Sequence, residues 1–136
     1  MAKKYTLDEL LIITAAREIK DGDRIILGVG LPTTAGAMAK APHAPNATLM
    51  MESGIIDFEP LVPPYLIADA NACRGFSYAT DLFSSFTMTY RGYVDVCFLG
   101  VAQIDRFGNV NTTVIGDYYK PDLRLPGSGG ACDFLS

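Results

Sequence analysis

The triplet Glu52-Ser53-Gly54 combines a carboxylate with residues that let a ligand come close. It directly follows Thr48–Met51, an apolar run that predicts a short buried strand, so the carboxylate stands at the C-terminal end of that strand. Ligands of open α/β sheets bind outside these carboxyl ends, and a Ser-Gly pair permits a sharp turn. The competing interpretation is a carboxylate that caps the next segment or faces solvent.

Two further segments are rich in hydrogen-bond donors. Gly127–Ala131 offers consecutive backbone amides with few side chains in the way, as an oxyanion hole requires, and Asn109 and Asn111 offer side-chain amides. An ordinary flexible loop contains the same features. Together with Glu52, they describe a carboxylate nucleophile that faces neutral donors and uses neither a metal nor a histidine base.

A glycine loop, Gly28-Val29-Gly30, lies between a predicted strand and a predicted helix, where backbone amides and the helix dipole could meet an anion. The dinucleotide fingerprint needs a third glycine where this sequence has Thr33, and the chain has no GxxxxGK[ST] motif. A nicotinamide cofactor and nucleoside triphosphate hydrolysis therefore lack support. A tight structural turn and a phosphate cradle both remain open.

Histidine and cysteine usage narrows the chemistry further. The single histidine, His43, stands in a proline-rich turn and is predicted to be a loop residue. The three cysteines, Cys73, Cys97 and Cys132, are odd in number and widely spaced, which suits neither a disulfide framework nor a zinc site. They are predicted to be reduced, buried thiols, and no metal site is expected.

Composition excludes several classes of protein. The 136 residues are 49% hydrophobic with a formal net charge of −4, which predicts one globular domain, residues 1–136, without a basic footprint for nucleic acid. Glycine and proline interrupt the longest uncharged stretch, Ile25–Ala39, so no membrane span is expected. Asp8 and Glu9 interrupt what would be the core of a secretory signal, and the protein is predicted to be cytoplasmic.

Alternating helices and apolar strands predict an α/β domain with a mostly parallel sheet flanked by helices. A capping box, Thr6-x-x-Glu9, begins the first helix. The predicted helices are Leu7–Ile19, with Leu7, Leu10, Leu11, Thr14, Ala15 and Ile19 on one face, then Thr33–Lys40 and Thr80–Arg91. The predicted strands are Arg24–Leu27, Thr48–Met51, Val94–Leu99 in a central position, and Asn109–Ile115. The predicted irregular segments are Asp57–Pro64, as a surface connection, and Pro121–Gly130, as a loop.

Four ordered motifs resemble the β subunits of class I coenzyme A transferases, above all the glutaconate and 3-oxoadipate branch. The motifs are Met51–Gly54, Phe98–Thr113, Ile115–Tyr118 and Pro126–Ala131. They span almost the whole chain at matching separations, which makes the set far more specific than any one motif. The resemblance implies the coenzyme A transferase fold and makes Glu52 the leading nucleophile.

The resemblance also implies a covalent mechanism. Glu52 attacks an acyl-CoA thioester, and CoA returns to give a glutamyl-CoA thioester that an incoming acid resolves. Gly130 with Gly129 is the implied backbone oxyanion donor, and Asn111 is the side-chain contributor. The predicted substrate or CoA contacts are Gly28, Gly30, Ser53, Gly54 and Gly129. Coenzyme A is a substrate, and no tightly bound cofactor is expected.

Partners follow from the same resemblance. Family β subunits work in hetero-oligomers with α subunits, and the active site lies at their interface. They also continue beyond the glycine-rich motif, whereas this chain ends at Ser136, so the family domain is expected to be C-terminally incomplete and completed by another chain. The substrate is predicted to be a short dicarboxylic or oxo-dicarboxylic acid. Candidates to hold its distal carboxylate are Arg74, Arg91, Arg106 and Arg124, for each of which a surface ion pair is the competing role.

Two other functions compete with CoA transfer. One is hydrolysis of a CoA thioester or a carbon-carbon bond on the same scaffold, although members of that type tend to lose the glutamate that Glu52 matches. The other is a non-catalytic ligand-sensing module, since fold alone does not give function. Retention of Glu52, Asn111 and Gly127–Gly130 together counts against it. Asp105 and Asp117, also near strand ends, are predicted to be turn formers or ion-pair partners.

Overall fold

The structure is a computed structural model that describes residues 4–60 and 62–135. The chain forms two compact units, Met1–Leu99 and Gly100–Ser136. In chain order, the first unit contains α1 (Leu7–Glu18), β1 (Arg24–Leu27), α2 (Leu31–Lys40), β2 (Thr48–Met50), β3 (Ile55–Ile56), a 3₁₀ turn (Ala70–Cys73), β4 (Tyr78–Ala79), α3 (Leu82–Tyr90) and β5 (Val96–Phe98). The second contains β6 (Gln103–Ile104), β7 (Val110–Asn111), β8 (Val114–Gly116), β9 (Pro121–Arg124) and α4 (Ala131–Phe134).

The sheet of the first unit has the strand order β4-β3-β2-β1-β5. Its three longer strands are parallel, with β1 paired to both β2 and β5, whereas the two-residue strands β3 and β4 add antiparallel pairs. The predicted α/β class with a mostly parallel sheet is confirmed. The predicted central position of Val94–Leu99 is wrong within the described residues, because β5 stands at one end of the strand order and β1 is the middle one of the three parallel strands.

Helix α1 begins with the predicted capping box, in which the Thr6 N–H donates to Glu9 Oε2 at 2.7 Å and the Glu9 N–H donates to Thr6 Oγ1 at 3.2 Å. The apolar face predicted for this helix is right for Ala15 and Ile19 and wrong for its three leucines. Leu7 is 82% exposed, and Leu10 and Leu11 are exposed as well. Ile12 and Ala16, which the prediction left out, join Ala15 and Ile19 in packing against the core.

Three segments depart from their predicted structure. Residues 57–64, where described, are irregular as predicted, but Phe58 is fully buried, so the segment is not purely a surface connection. Pro121–Arg124, predicted as loop, is a strand because it pairs with β8. Asn109–Ile115 is two strands rather than one, since a turn in which the Thr113 N–H donates to Asn111 Oδ1 separates β7 from β8.

All three cysteines are free thiols, and the predicted burial holds only in part. Cys97 is half-buried, and burial raises the pKa of its thiol. Cys73 and Cys132 are exposed, which corrects the prediction, because the short helical turns that carry them leave their side chains uncovered. None of the helices in the described ranges has the length and apolar character needed to cross a bilayer.

Candidate active site

Glu52 lies in a tight turn that joins β2 to β3. The Met51 N–H donates to the Ile55 carbonyl at 2.9 Å, and the Gly54 N–H donates to the Met51 carbonyl at 2.9 Å, which leaves Glu52 and Ser53 as the two central residues. Met51 is fully buried, whereas Glu52 is partly buried. A fixed buried residue thus precedes a carboxylate that solvent can still reach.

Gly54 packs against the backbone that leads into α3. Its carbonyl accepts the Thr80 N–H at 2.8 Å, and its φ of +94° is one that residues with side chains rarely adopt. A Cβ added at this position would overlap the Thr80 carbonyl oxygen and lie 3.1 Å from the Asp81 carbonyl oxygen. Only glycine fits here without a backbone shift.

Two serine hydroxyls lie beside the turn. Ser85 in α3 is fully buried and donates from Oγ to the Met51 carbonyl at 3.4 Å. Ser53 Oγ is shielded from solvent and has no hydrogen-bond partner among the described residues. A shielded, unpaired hydroxyl is rare in native proteins and calls for an explanation.

The Gly28–Gly30 loop lies level with the Glu52 turn, because the parallel register pairs Ile26 with Met50. The Gly28 N–H donates to the Phe98 carbonyl at 2.8 Å, and the Gly28 carbonyl accepts the buried Thr33 hydroxyl at 2.7 Å. Gly30 has a φ of +90°, with open space around it. The N–H and the carbonyl of Gly28 are therefore both hydrogen-bonded within a structural turn. A ligand-binding role for Gly28 and Gly30 stays a prediction.

Asn111 uses its side-chain amide within the second unit. Its Nδ2 donates to Gln103 Oε1 and to the Val114 carbonyl, each at 2.7 Å, while Oδ1 accepts the Thr113 N–H at 3.0 Å. Both amide hydrogens are thus engaged. For Asn111 to donate to an oxyanion, one of these bonds must be exchanged, and its catalytic role stays a prediction.

The glycine-rich segment lies beside the residues that follow Asn111. The Gly127 N–H donates to the Thr112 carbonyl at 2.9 Å, and Gly129 takes a φ of +52°. Gly130 is buried and precedes α4 as its N-cap residue. The second unit therefore brings Asn111 and the Gly127–Gly130 segment together, whereas Glu52 belongs to the first unit.

Asp105 and Asp117 form turns, as predicted. Asp105 accepts the backbone N–H groups of Phe107 and Asn109 and the Asn109 side-chain amide, which lower the pKa of its carboxyl. Asp117 accepts two backbone N–H groups, those of residues 119 and 120. These bonds give both carboxylates structural roles.

His43 and the arginine candidates have surface positions. His43 Nε2 lies 3.0 Å from the Ala16 carbonyl and 3.2 Å from the Ile19 carbonyl, so this side chain helps to close the end of α1. All four arginines proposed to hold a distal carboxylate, Arg74, Arg91, Arg106 and Arg124, are exposed. The guanidinium groups of Arg106 and Arg124 lie over the rings of Phe107 and Tyr118.

A second charged group lies at the end of β3. Asp57 accepts the Ser77 hydroxyl at 2.7 Å and pairs with Lys40 at 3.0 Å, and these two bonds lower the pKa of its carboxyl. Its φ of +57° is the one positive value of a non-glycine residue in the described ranges. The network ties the end of α2 to the end of β3. Within the described ranges, no group of three or more His, Cys, Asp and Glu side chains could hold a metal ion.

Sequence reasoning missed Thr80 and Ser85 as residues that support the turn. The backbone contact of Thr80 leaves no mark in the sequence. Ser85 is one of several hydroxyl-bearing residues in LFSSFTMTY, and its sequence position does not distinguish it from the others.

The fold and the turn define an α/β protein with a carboxylate at the carboxyl edge of a parallel sheet, a position suited to covalent chemistry. Residues 9–136 match the family described as coenzyme A transferase. This chain belongs to that family, and the predicted resemblance to class I β subunits is confirmed.

Its relatives include one subunit of 3-oxoadipate CoA-transferase from Pseudomonas knackmussii, 43% identical over 93% of this chain and 49% of that protein. One subunit of glutaconate CoA-transferase from Acidaminococcus fermentans is 37% identical over 93% of this chain and 50% of that protein. The β subunit of acetate CoA-transferase from Escherichia coli is 32% identical over 89% of this chain and 55% of that protein. The chain thus spans about half the length of the curated relatives it matches.

Solved structures agree on the fold. Glutaconate coenzyme A-transferase from Acidaminococcus fermentans matches with a TM-score of 0.85 and 33% identity, over 96% of this chain and 52% of that one. The decarboxylase AibA/AibB matches with a TM-score of 0.84 and 32% identity, over 97% of this chain and 56% of that one. Because a transferase and a decarboxylase match equally well, the fold does not choose between their reactions.

Proposed function

We propose that this chain is the nucleophile-bearing part of a CoA-transferase β subunit, which moves coenzyme A from an acyl-CoA to a short dicarboxylic or oxo-dicarboxylic acid. The observation that carries the proposal is the Glu52 turn. Its flanking residues are fixed by backbone hydrogen bonds, and its carboxylate stands at the carboxyl edge of the parallel strands. A carboxylate is the side chain that can accept an acyl group, then CoA, and be regenerated unchanged.

The first half of the proposed reaction forms a thioester on the enzyme. A Glu52 carboxylate oxygen attacks the thioester carbonyl of the acyl-CoA, the carbon–sulfur bond breaks, and CoA leaves as a thiolate. That thiolate attacks the glutamyl carbonyl of the resulting mixed anhydride, which expels the donor carboxylate. The product is a glutamyl-CoA thioester, with charge conserved at each step.

The second half repeats these steps in reverse. The acceptor carboxylate attacks the glutamyl-CoA thioester and releases CoA thiolate, and the thiolate then attacks the acyl carbonyl of the new anhydride. Glu52 leaves as a carboxylate and the acceptor leaves as its CoA thioester. Water takes no part in the transfer reaction, and water that reached the glutamyl-CoA thioester would hydrolyse it. Exclusion of water is therefore what distinguishes transfer from hydrolysis.

Each step passes through an oxyanion that needs donors. By the family resemblance these are the Gly130 backbone amide, with Gly129 beside it, and the Asn111 side chain. Loss of one such donor typically costs about 3 kcal/mol of barrier stabilisation. The unpaired Ser53 hydroxyl supports a substrate-contact role for that residue, because a bound thioester or carboxylate would supply its missing partner. Gly54 contributes by allowing the turn.

The names of the relatives support both the class of acid substrate and the kind of partner subunit that we propose. Relatives named for 3-oxoadipate and glutaconate support a dicarboxylic acid. Relatives named as single subunits of an enzyme, with a β subunit among them, support an α subunit as partner in a hetero-oligomer. Coenzyme A takes part as a substrate, with no tightly bound cofactor in the proposed cycle. Assignment of residues 1–136 to one family domain and a cytoplasmic location stay predictions.

Three other reactions or roles are to be separated from transfer. A hydrolase would release CoA without an acceptor acid, a sensor would bind without turnover, and a decarboxylase would release carbon dioxide from an acyl-CoA. Glu52 favours transfer, because hydrolases on this scaffold tend, by the family resemblance, to lose this glutamate, and neither sensing nor decarboxylation needs a glutamyl thioester. Release of CoA and carbon dioxide, measured with and without acceptor acid, distinguishes them.

The deciding experiment is intact-mass spectrometry of the assembled enzyme after incubation with an acyl-CoA. We expect a CoA-sized adduct on this chain, which hydroxylamine converts to a hydroxamate and borohydride reduces to an alcohol, each with release of CoA. Glu52→Gln, which keeps the shape but removes the nucleophilic oxygen, should form none. Glu59→Gln is the matched control, since that carboxylate lies outside the turn and its loss should leave the adduct intact. If the wild-type enzyme binds acyl-CoA and forms no adduct, the covalent mechanism is wrong.

A further inference from the structure

The Glu52 turn is held at both of its ends by one short stretch of chain, residues 80–85. At the C-terminal end, the Thr80 N–H donates to the Gly54 carbonyl at 2.8 Å. At the N-terminal end, Ser85 Oγ donates to the Met51 carbonyl at 3.4 Å. The two central residues of the turn, Glu52 and Ser53, therefore stand between two points of attachment to the same segment.

That segment is itself fixed by the start of α3. Asp81 is the N-cap residue, and its side chain accepts the Ser84 N–H at 2.7 Å, while the Ser85 N–H donates to the Asp81 carbonyl at 3.1 Å. Ser85 is the one fully buried residue of this helix, and its hydroxyl is turned out of the helix toward Met51. Other helix hydroxyls differ in this respect, since Thr87 Oγ1 donates within α3, to the Phe83 carbonyl at 2.8 Å.

We infer that Ser85 is a positioning residue for the nucleophile: its hydroxyl, acting through the Met51 carbonyl, sets the orientation of the turn that carries Glu52. The inference rests on the proposed function of Glu52. The Met51 carbonyl accepts both the Ser85 hydroxyl and the Gly54 N–H, so loss of the serine leaves the turn closed but removes its tie to α3. A nucleophile displaced by about 1 Å loses on the order of a hundredfold in rate.

The test compares three variants in the assembled enzyme. Ser85→Ala removes the hydroxyl, Ser85→Cys keeps a weak donor of similar size, and Thr87→Ala removes a hydroxyl that stays within the helix. Urea unfolding first establishes that each variant is folded at the assay temperature. The rate of CoA adduct formation in a single turnover, kcat, KM and hydrogen exchange of the Gly54 amide are then measured.

For Ser85→Ala we expect at least a tenfold slower adduct formation and lower kcat, with KM within about twofold of wild type. Exchange of the Gly54 amide should rise in Ser85→Ala. Ser85→Cys should fall between Ser85→Ala and wild type in both rate and exchange, and Thr87→Ala should match wild type in both. Equal rates and equal exchange in Ser85→Ala and Thr87→Ala would overturn the inference. If Ser85→Ala does not fold, wild-type rate and exchange in Ser85→Cys overturn it instead.

The exchange measurement separates this inference from the proposed function. If wild type forms no adduct while Ser85→Ala still raises exchange at Gly54, the tie to the turn is upheld and the covalent mechanism alone fails. If wild type forms the adduct and Ser85→Ala forms it at the same rate, the mechanism is upheld and the positioning role fails.

Discussion

Replacing Gly54 with alanine tests whether the Glu52 turn depends on close backbone packing. The substitution has two physical costs. A φ of +94° is strained for any residue with a side chain, by about 1–3 kcal/mol. The new Cβ would also overlap the Thr80 carbonyl, which cannot withdraw freely because the Thr80 N–H is bonded to the Gly54 carbonyl at 2.8 Å. Overpacking of this kind costs roughly another 1–3 kcal/mol.

The structure supplies a control that separates the two costs. Gly92 also has a positive φ, +74°, but a Cβ there would meet nothing within 4 Å. Gly92→Ala therefore carries the strain without the overlap, and it should destabilise by about 1–3 kcal/mol and leave adduct formation unchanged.

Gly54→Ala should lose about 2–6 kcal/mol in urea unfolding, and adduct formation on Glu52 should slow by roughly a hundredfold as the turn shifts. The adduct rates of both variants are measured at a temperature at which the variants are folded. If Gly54→Ala behaves like Gly92→Ala in stability and in rate, close packing on Thr80 does not position the turn.

Two further predictions concern the sheet that carries the site. Arg24 donates to both Asp95 carboxylate oxygens at 2.8 and 2.9 Å, and these bonds lower the pKa of Asp95 from 3.8 to about 2. Because the pKa of Asp95 is lower in the folded state than in the unfolded state, the ion pair stabilises the fold above about pH 4, and this contribution is lost as the pH falls toward 2. In urea unfolding, the stability difference between wild type and Asp95→Asn should therefore shrink over that range. A constant difference would contradict the assignment. Thr33→Val removes the hydroxyl bonded to the Gly28 carbonyl at 2.7 Å in a fully buried position, so it should destabilise by about 1–3 kcal/mol, with Thr34→Val, on a partly buried hydroxyl, costing less.

Elements with a local chemical signal were predictable from the sequence. The Thr6 and Glu9 side chains form the capping box at the start of α1, and Asp81 caps α3 within two residues of the predicted helix start. Strand β1 has the predicted bounds, Arg24–Leu27, because its apolar and β-branched residues are followed by a glycine that ends it. These features depend on residues close together in the chain.

Features that depend on distant partners were not predictable in the same way. Apolar side chains occur around much of α1, so periodicity could not decide which of them would be covered. Ile12, Ala15, Ala16 and Ile19 are the ones that pack against the core. Strand β9 was missed because Pro121–Arg124 has weak strand character and is extended by its pairing with β8. The position of β5 likewise follows from long-range pairing.

The residues of the candidate site show the same difference between local signals and long-range contacts. Glu52 could be singled out because a carboxylate after an apolar strand is visible in the sequence. The engagement of both Asn111 amide hydrogens could not, since it depends on Gln103 and on the Val114 carbonyl in a folded hairpin. Ser85 was missed for the same reason, as its partner, the Met51 carbonyl, is 34 residues away.

The three residues Glu52, Ser53 and Gly54 meet three separate physical needs. Gly54 is required by backbone packing, because any side chain there would displace the turn or the Thr80 carbonyl. Ser53 leaves a shielded hydroxyl unpaired, a cost of about 1–3 kcal/mol that the fold itself does not offset. Glu52 stands between them on a turn whose ends are fixed. Stability alone would favour a partner for the Ser53 hydroxyl, so its unpaired state supports the proposal that this triplet meets a ligand.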